Sequence, residues 1–232
     1  MPAFNEAASI ADVLGQVRDA LPSAGVLVVD DGSTDATAAV ARASGEQVVS
    51  LAFNVGVGGA MRTGFLFAVR NGYDGVVQVD ADGQHDPAQV PALVEALDRA
   101  DVVVGARFAG AGEYPVSLPR RGAMRLVASL VSWLTGTRLT DVTSGFRATG
   151  PRALELFARA YPSEYLGDTL ESLVLADRAG LVLTQVPVSM RPRSAGRPSH
   201  APTRAAVYLG RALLVLALAR VRVWPTAAGD AW

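Results

Sequence analysis

The chain has 232 residues, half of them hydrophobic, with a formal net charge of −1 and no cysteine. That length fills one large core or two small ones, and one domain is expected. The near-neutral charge, with no basic block in either half, excludes a nucleic-acid footprint, so no nucleic acid is expected as a partner. The lack of cysteine excludes disulfides and cysteine-zinc sites and agrees with a reducing cytoplasm.

Apolar runs of strand length alternate with segments of helical period, the pattern of an α/β protein with a mostly parallel sheet flanked by helices. In chain order, a helix is expected over about 6–21, then the strand "GVLVVD" at 25–30, a helix over 34–43 and the strand "QVVSLAF" at 47–53. A helix over 58–71 follows the glycine-rich "NVGVGGAMRTG", and the strands "GVVQVD" and "DVVVGAR" enclose a helix after Pro87. These strands are apolar at nearly every position, so helices should cover both faces. After Arg107 the chain reads as the loop "FAGAGEYPVSLPRR", a helix over 120–135, the turn-rich "TDVTSGFRATG", two further helices and the strand "LVLTQVPVSM". We read 1–202 as the catalytic-type domain, 203–224 as a C-terminal apolar helix and 225–232 as a tail. The apolar helix is too short and too arginine-flanked to span a bilayer, for which roughly 20 apolar residues are needed.

In open α/β sheets, ligands sit beyond the carboxyl ends of the strands. Asp30, Asp31, Asp80, Asp82 and Arg107 all fall at or just beyond such ends. One strand-end aspartate is more often a helix cap, the role expected of Asp86 before Pro87; this set on matching ends points to one charged crevice. Asp80 and Asp82 lie on one side of an extended chain, and two carboxylates side by side repel unless a cation joins them. With Gln84 as a third oxygen, the donor set suits Mg²⁺ or Mn²⁺, whose remaining ligands are waters and substrate phosphates. His85, beside a proline-bearing turn, reads as a loop residue rather than a ligand.

Taken together, "PAFNEAASI" (2–10), "VVDDGSTDAT" (28–37), "NVGVGGAMRTGF" (54–65), "DADGQHDP" (80–87) and "DVTSGFRATG" (141–150) resemble a family 2 glycosyltransferase, and within it the dolichyl- or polyprenyl-phosphate sugar synthases. The resemblance covers about two thirds of the chain. It implies a GT-A-type nucleotide-sugar fold and an inverting transfer from a UDP- or GDP-sugar to a polyprenyl phosphate. It assigns Glu6 and Asp31 to the donor's base and ribose, with Pro2, Ala3, Asn5, Gly58 and Ala81 also at the donor site. Asp80, Asp82 and Gln84 then hold the metal on the diphosphate, and Arg62 is a candidate for the same phosphates at a helix N-terminus. Arg107 and Arg120 resemble phosphate-binding arginines of the subgroup; Arg121 and Arg125 are further candidates for the acceptor phosphate, against the reading of a solvated helix face.

Asp141 is either a general base, needed for a sugar-hydroxyl acceptor, or a cap that orients its turn and Arg147. The alternative acceptor is therefore a sugar hydroxyl in cell-wall or polysaccharide assembly. Met124 stands where many relatives have a serine, "NVGVGG" lacks a lysine frequent in this loop, and the first strand reads as truncated. The expected location is cytoplasmic, peripheral to the inner membrane face, where the apolar helix with its arginines at 204, 211, 220 and 222 meets anionic lipid or a small membrane partner protein, or pairs in a homo-oligomer. A dinucleotide-binding dehydrogenase is disfavoured: Met61 replaces the third glycine of G-x-G-x-x-G, and the acid pair has no role there. A non-catalytic scaffold would have lost that pair.

Overall fold

A computed structural model describes residues 1–107, 118–162, 168–191 and 210. The expected loop after Arg107 and the C-terminal helix lie outside these residues, apart from helix α5, which begins at Leu118, and Gly210.

The strands are β1 (Pro2–Ala3), β2 (Leu27–Asp30), β3 (Gln47–Ser50), β4 (Val76–Gln78), β5 (Val102–Ala106), β6 (Arg147–Thr149) and β7 (Leu183–Pro187). The helices are α1 (Ile10–Ala20), α2 (Thr37–Ala43), α3 (Val57–Arg70), α4 (Val90–Glu95), α5 (Leu118–Thr135), α6 (Pro151–Ala160) and α7 (Asp168–Arg178). A parallel sheet runs β1-β2-β3, and a mixed sheet runs β4-β6-β5-β7, in which β6 is antiparallel to both neighbours and β7 is parallel to β5. Helices cover both faces, as expected from the strand composition. In β5 every residue is buried: Val102 and Val104 enter the core built by Phe65, Phe157 and Tyr161, while Val103 enters the opposite one with Val13, Leu93 and Phe146. Each such side chain contributes about 1.5–3 kcal/mol by leaving water.

Three departures from the sequence expectation have physical causes. The stretch "TDVTSGFRATG" supplies a central strand, β6, and not turns alone; its three residues are too few for a periodic signal, and Arg147 is a charged residue inside a sheet. Helix α1 starts at Ile10 rather than near 6, because the chain first turns so that the amides of Ser9 and Ile10 donate to the Glu6 carbonyl. Helix α2 starts at Thr37, because Ser33, Thr34 and Asp35 are drawn into hydrogen bonds with residues 5 and 7.

Candidate functional site: a strand-end crevice with two acids on one loop

At the end of β2, the Asp31 amide donates to the Ala3 carbonyl at 2.8 Å, which extends the β1–β2 ladder. Its two carboxylate oxygens accept from the amides of Val55 and Gly56, at 2.8 and 2.9 Å. Asp31 thereby holds the loop that enters α3, which includes the buried Gly58. Burial, together with repulsion from Asp30, raises its pKa; the two amides only partly offset this. Gly32 follows with φ +67°, and a Cβ there would lie 2.6 Å from the Phe53 carbonyl carbon, so a side chain is excluded on both counts.

The loop after β1 is tied to the same corner. Asn5, at φ 56°, donates its amide to Ser33 Oγ and accepts from the Thr34 amide at 2.8 Å. The Glu6 amide donates to Thr37 Oγ1. Asp35 is exposed; the slight desolvation of its carboxyl opposes ionisation, but bonds from the Thr37 hydroxyl and amide and from the Ala7 amide hold its pKa below the usual value. Ser9 Oγ lies 2.8 Å from the Ala81 carbonyl and 3.1 Å from Glu6 Oε2, joining this corner to the acidic loop.

On that loop Asp80 Oδ1 accepts from Gln78 Nε2 at 2.9 Å, and the Asp80 amide donates to His85 Nδ1 at 3.0 Å. The His85 ring is buried, stacks on Phe146 at 4.8 Å between centroids, and brings Nε2 to 3.7 Å from Asp80 Oδ2. It is a loop-shaping residue, as its context implied. Asp82 is buried and accepts from the Gln84 amide at 3.0 Å. Asp86 accepts from the Ala88 amide and caps the turn begun by Pro87. Two carboxylates and one amide at alternate positions form an all-oxygen set that fits a hard divalent cation. Among the described residues no three His, Cys, Asp or Glu side chains gather around one point, so water and substrate phosphate would complete the shell.

Arg107, just past β5, meets Asp141 through two parallel bonds, Nε to Oδ2 at 2.6 Å and Nη2 to Oδ1 at 2.8 Å, with a third to Thr143 Oγ1. The Arg107 amide also donates to Asp141 Oδ2, and the Asp141 side chain is fully buried. Asp141 therefore orients Arg107. The sequence reading had offered Arg147 as its partner; that guanidinium instead donates to the carbonyls of Ser144 and Val142 and to Ser172 Oγ. Burial lowers the Arg147 pKa against the pull of Tyr161, Asp168 and Asp141. Burial likewise holds the Asp168 carboxyl at about 6, with Arg147 working in the opposite sense, and pushes the Tyr161 hydroxyl upward.

Arg62 is placed elsewhere than expected. It lies on the second turn of α3, and its guanidinium donates to the carbonyls of Ala158 and Arg159 at the end of α6, which satisfies a helix C-terminus. Arg121 and Arg125 are exposed, one turn apart on α5; Arg120 is on the same helix, its side chain outside the described residues. Gln78 and Asp168 were missed by the sequence reading. An amide inside the apolar run "VVQV", two residues before an acid and so on its face, was the available signal for Gln78.

Residues 1–154 match the model of Glycosyl transferase family 2. The chain belongs to that family. It is 35% identical over 212 residues, 84% of either chain, to the Undecaprenyl-phosphate mannosyltransferase of Micrococcus luteus. To the Polyprenol monophosphomannose synthase of Mycolicibacterium smegmatis it is 31% identical over 205 residues, 84% of this chain and 77% of the relative. Among solved structures it is similar to glucosyl-3-phosphoglycerate synthase of Mycobacterium tuberculosis in complex with Mn²⁺ and UDP-glucose, with a TM-score of 0.67 and 24% identity, covering 94% of this chain and 76% of that one. The family member described here is thus a glycosyltransferase with a GT-A-like α/β fold.

Proposed function

We propose that this glycosyltransferase moves a sugar from a nucleoside diphosphate sugar to a polyprenyl phosphate, with inversion at the anomeric carbon, at the cytoplasmic face of the membrane. The observation that carries the choice of acceptor is the Arg107–Asp141 pair. The acid that a hydroxyl acceptor would need as a general base has both oxygens engaged by one guanidinium, and its side chain is fully buried. A lipid phosphate needs no such base, because it is already largely anionic at neutral pH, its second pKa being about 6. It needs a cation, and Arg107 offers one held in a fixed direction beyond β5. The names of the two relatives support the same class of acceptor.

A phosphate oxygen of the acceptor forms the new bond to the anomeric carbon as the bond from that carbon to the donor diphosphate breaks, and the nucleoside diphosphate leaves with the electron pair. One displacement without a protein nucleophile inverts the centre. Asp80, Asp82 and Gln84 would hold Mg²⁺ or Mn²⁺, whose charge would offset that of the departing diphosphate. Asp31 and the loops around Asn5 and Glu6 would frame the donor's nucleoside; Ala3, Gly58 and Ala81 are buried, so their part and that of Pro2 would fall to the backbone.

Among the described residues no helix is long and apolar enough to cross a membrane. A peripheral attachment is supported by α5, which carries no acid and exposes Arg121, Arg125, Leu126 and Trp133. The 203–224 segment would add a second apolar element, against lipid, a small membrane protein or another copy of the chain. Labelled transfer from a panel of UDP- and GDP-sugars to undecaprenyl phosphate and to oligosaccharides tests the reading. Metal-dependent labelling of the lipid, with an NMR coupling constant for the inverted anomer, is expected. Exclusive transfer to oligosaccharide, retention, or full activity in excess EDTA would overturn the corresponding part.

A further inference from the structure

We infer that Gln78 and Gly145 act as one positioning device for Asp80 and set how tightly the loop takes a divalent cation with a nucleoside diphosphate. The inference rests on the metal-and-diphosphate reading above.

Gln78 is a buried amide in an otherwise apolar strand, and a side chain of that kind requires a partner. Its partner is two residues on, on the same face of the extended chain: Nε2 donates to Asp80 Oδ1 at 2.9 Å. The antiparallel register sets Val76 against Thr149, Val77 against Ala148 and Gln78 against Arg147. Continued by two residues, that register brings Gly145 opposite Asp80. A Cβ on Gly145 would lie 2.8 Å from Gln78 Nε2 and 3.3 Å from Asp80 Oδ2. The space in which amide and carboxylate meet is therefore the space a side chain at 145 would fill.

The backbone at 145 is poorly placed to yield. On one side, the buried Arg147 donates to the carbonyls of Ser144 and Val142 at 2.8 and 2.9 Å. On the other, Phe146 is fully buried and stacked on His85, whose Nδ1 takes the Asp80 amide. The Gln78 amide, at the end of a flexible side chain, is the part that moves. Gly145 does not have a left-handed φ, so alanine is permitted by the backbone there and acts through its methyl group alone. Both Gln78→Leu and Gly145→Ala thus break the same bond by different routes and release the Asp80 carboxylate to other rotamers.

The test is Mn²⁺ binding to the full chain, followed by EPR of the free ion, with UDP and separately GDP present. Removing an outer-shell partner of a metal ligand weakens binding roughly 10- to 100-fold, and that loss is expected for each variant. The double variant should bind no more weakly than the weaker single one, because both remove one interaction. The melting temperature of Gly145→Ala should stay within about 3 °C of wild type. Unchanged Mn²⁺ affinity in Gly145→Ala, or losses that multiply in the double variant, would overturn the inference while leaving the metal site standing. Should Gln78→Leu fail to fold, Gly145→Ala decides alone. A wild-type chain that takes up no Mn²⁺ with either nucleotide would remove the metal reading and this inference with it.

Discussion

Asp30, Asp31 and Asp35, on the β1–β3 side of the site, are satisfied by backbone amides of Ser33, Val55, Gly56, Ala7 and Thr37, whereas Asp141 on the β4–β7 side is gripped by Arg107 and Asp168 lies under the influence of Arg147. An acid held by amides costs little to assemble, since its partners come with the local chain. An acid held by a buried guanidinium involves two desolvated charges, so removing either leaves the other uncompensated. The β1–β3 side should therefore tolerate loss of an acid better than the β4–β7 side does.

The largest effect is expected where the two sides meet. Asp82→Ala, on the loop that Ser9 joins to the first corner, should lower turnover by more than about 10²-fold with the fold intact; Mg²⁺ and Mn²⁺ titrations of activity check this, and near-normal turnover would remove the acid pair from the chemistry. Next, Asp141→Ala strands a guanidinium whose side chain is only 11% exposed. A loss of about 3–5 kcal/mol is expected in denaturant unfolding, with a raised KM for polyprenyl phosphate and an unchanged KM for the nucleotide sugar.

Asp168 sharpens the same contrast through pH. Its folded pKa of about 6 stands above its ordinary 3.8, so the folded chain keeps a proton that the unfolded chain gives up. Its contribution to stability is thus most favourable below 3.8, shrinks as pH rises towards 6, and is constant above that, a swing of about 3 kcal/mol. Asp168→Asn does not titrate, so its stability relative to wild type should improve as pH rises from about 4 to about 6.5. A difference that stays flat with pH would show that folding leaves the carboxyl at its ordinary pKa. The smallest effect is expected for Asp31→Ala, which frees two amides near the surface for water: about 1 kcal/mol of stability, a raised donor KM and an unchanged acceptor KM. A cost equal to that of Asp141→Ala would erase the distinction between the two sides.

The β1–β3 side was also the more legible in sequence. Its strands are apolar runs, and its acids sit in short motifs whose partners are loop amides or lie at neighbouring strand ends. The β4–β7 side depends on pairs far apart in the chain. Arg107 finds Asp141 34 residues later, and nothing in the spacing prefers it to Arg147 as the partner. Arg62 looked like a phosphate ligand because helix N-termini attract anions, but a side chain on the second turn reaches a neighbouring helix instead. Strand β6 was hidden because it is three residues long and starts with arginine.

That short strand also bears on how the molecule is made. The β1–β2–β3 unit is closed by residue 50, through pairings such as Pro2 with Val29 and Leu27 with Gln47. Among the described residues, β4 and β5 are joined only through β6, so β4 waits from residue 78 until residue 147 for that partner. During synthesis at the ribosome the β1–β3 corner can be in place while β4 and β5 still present open edges, which are the sticky surfaces of an incomplete sheet. Insertion of three residues then seals the two edges that face each other and delivers Asp141, Gly145 and Arg147 to their places, while the far edge of β5 waits for β7. Chain growth would thus complete the β1–β3 side first, and a slow or faulty insertion of β6 would yield a species with that side formed and the Arg107–Asp141 side still unmade.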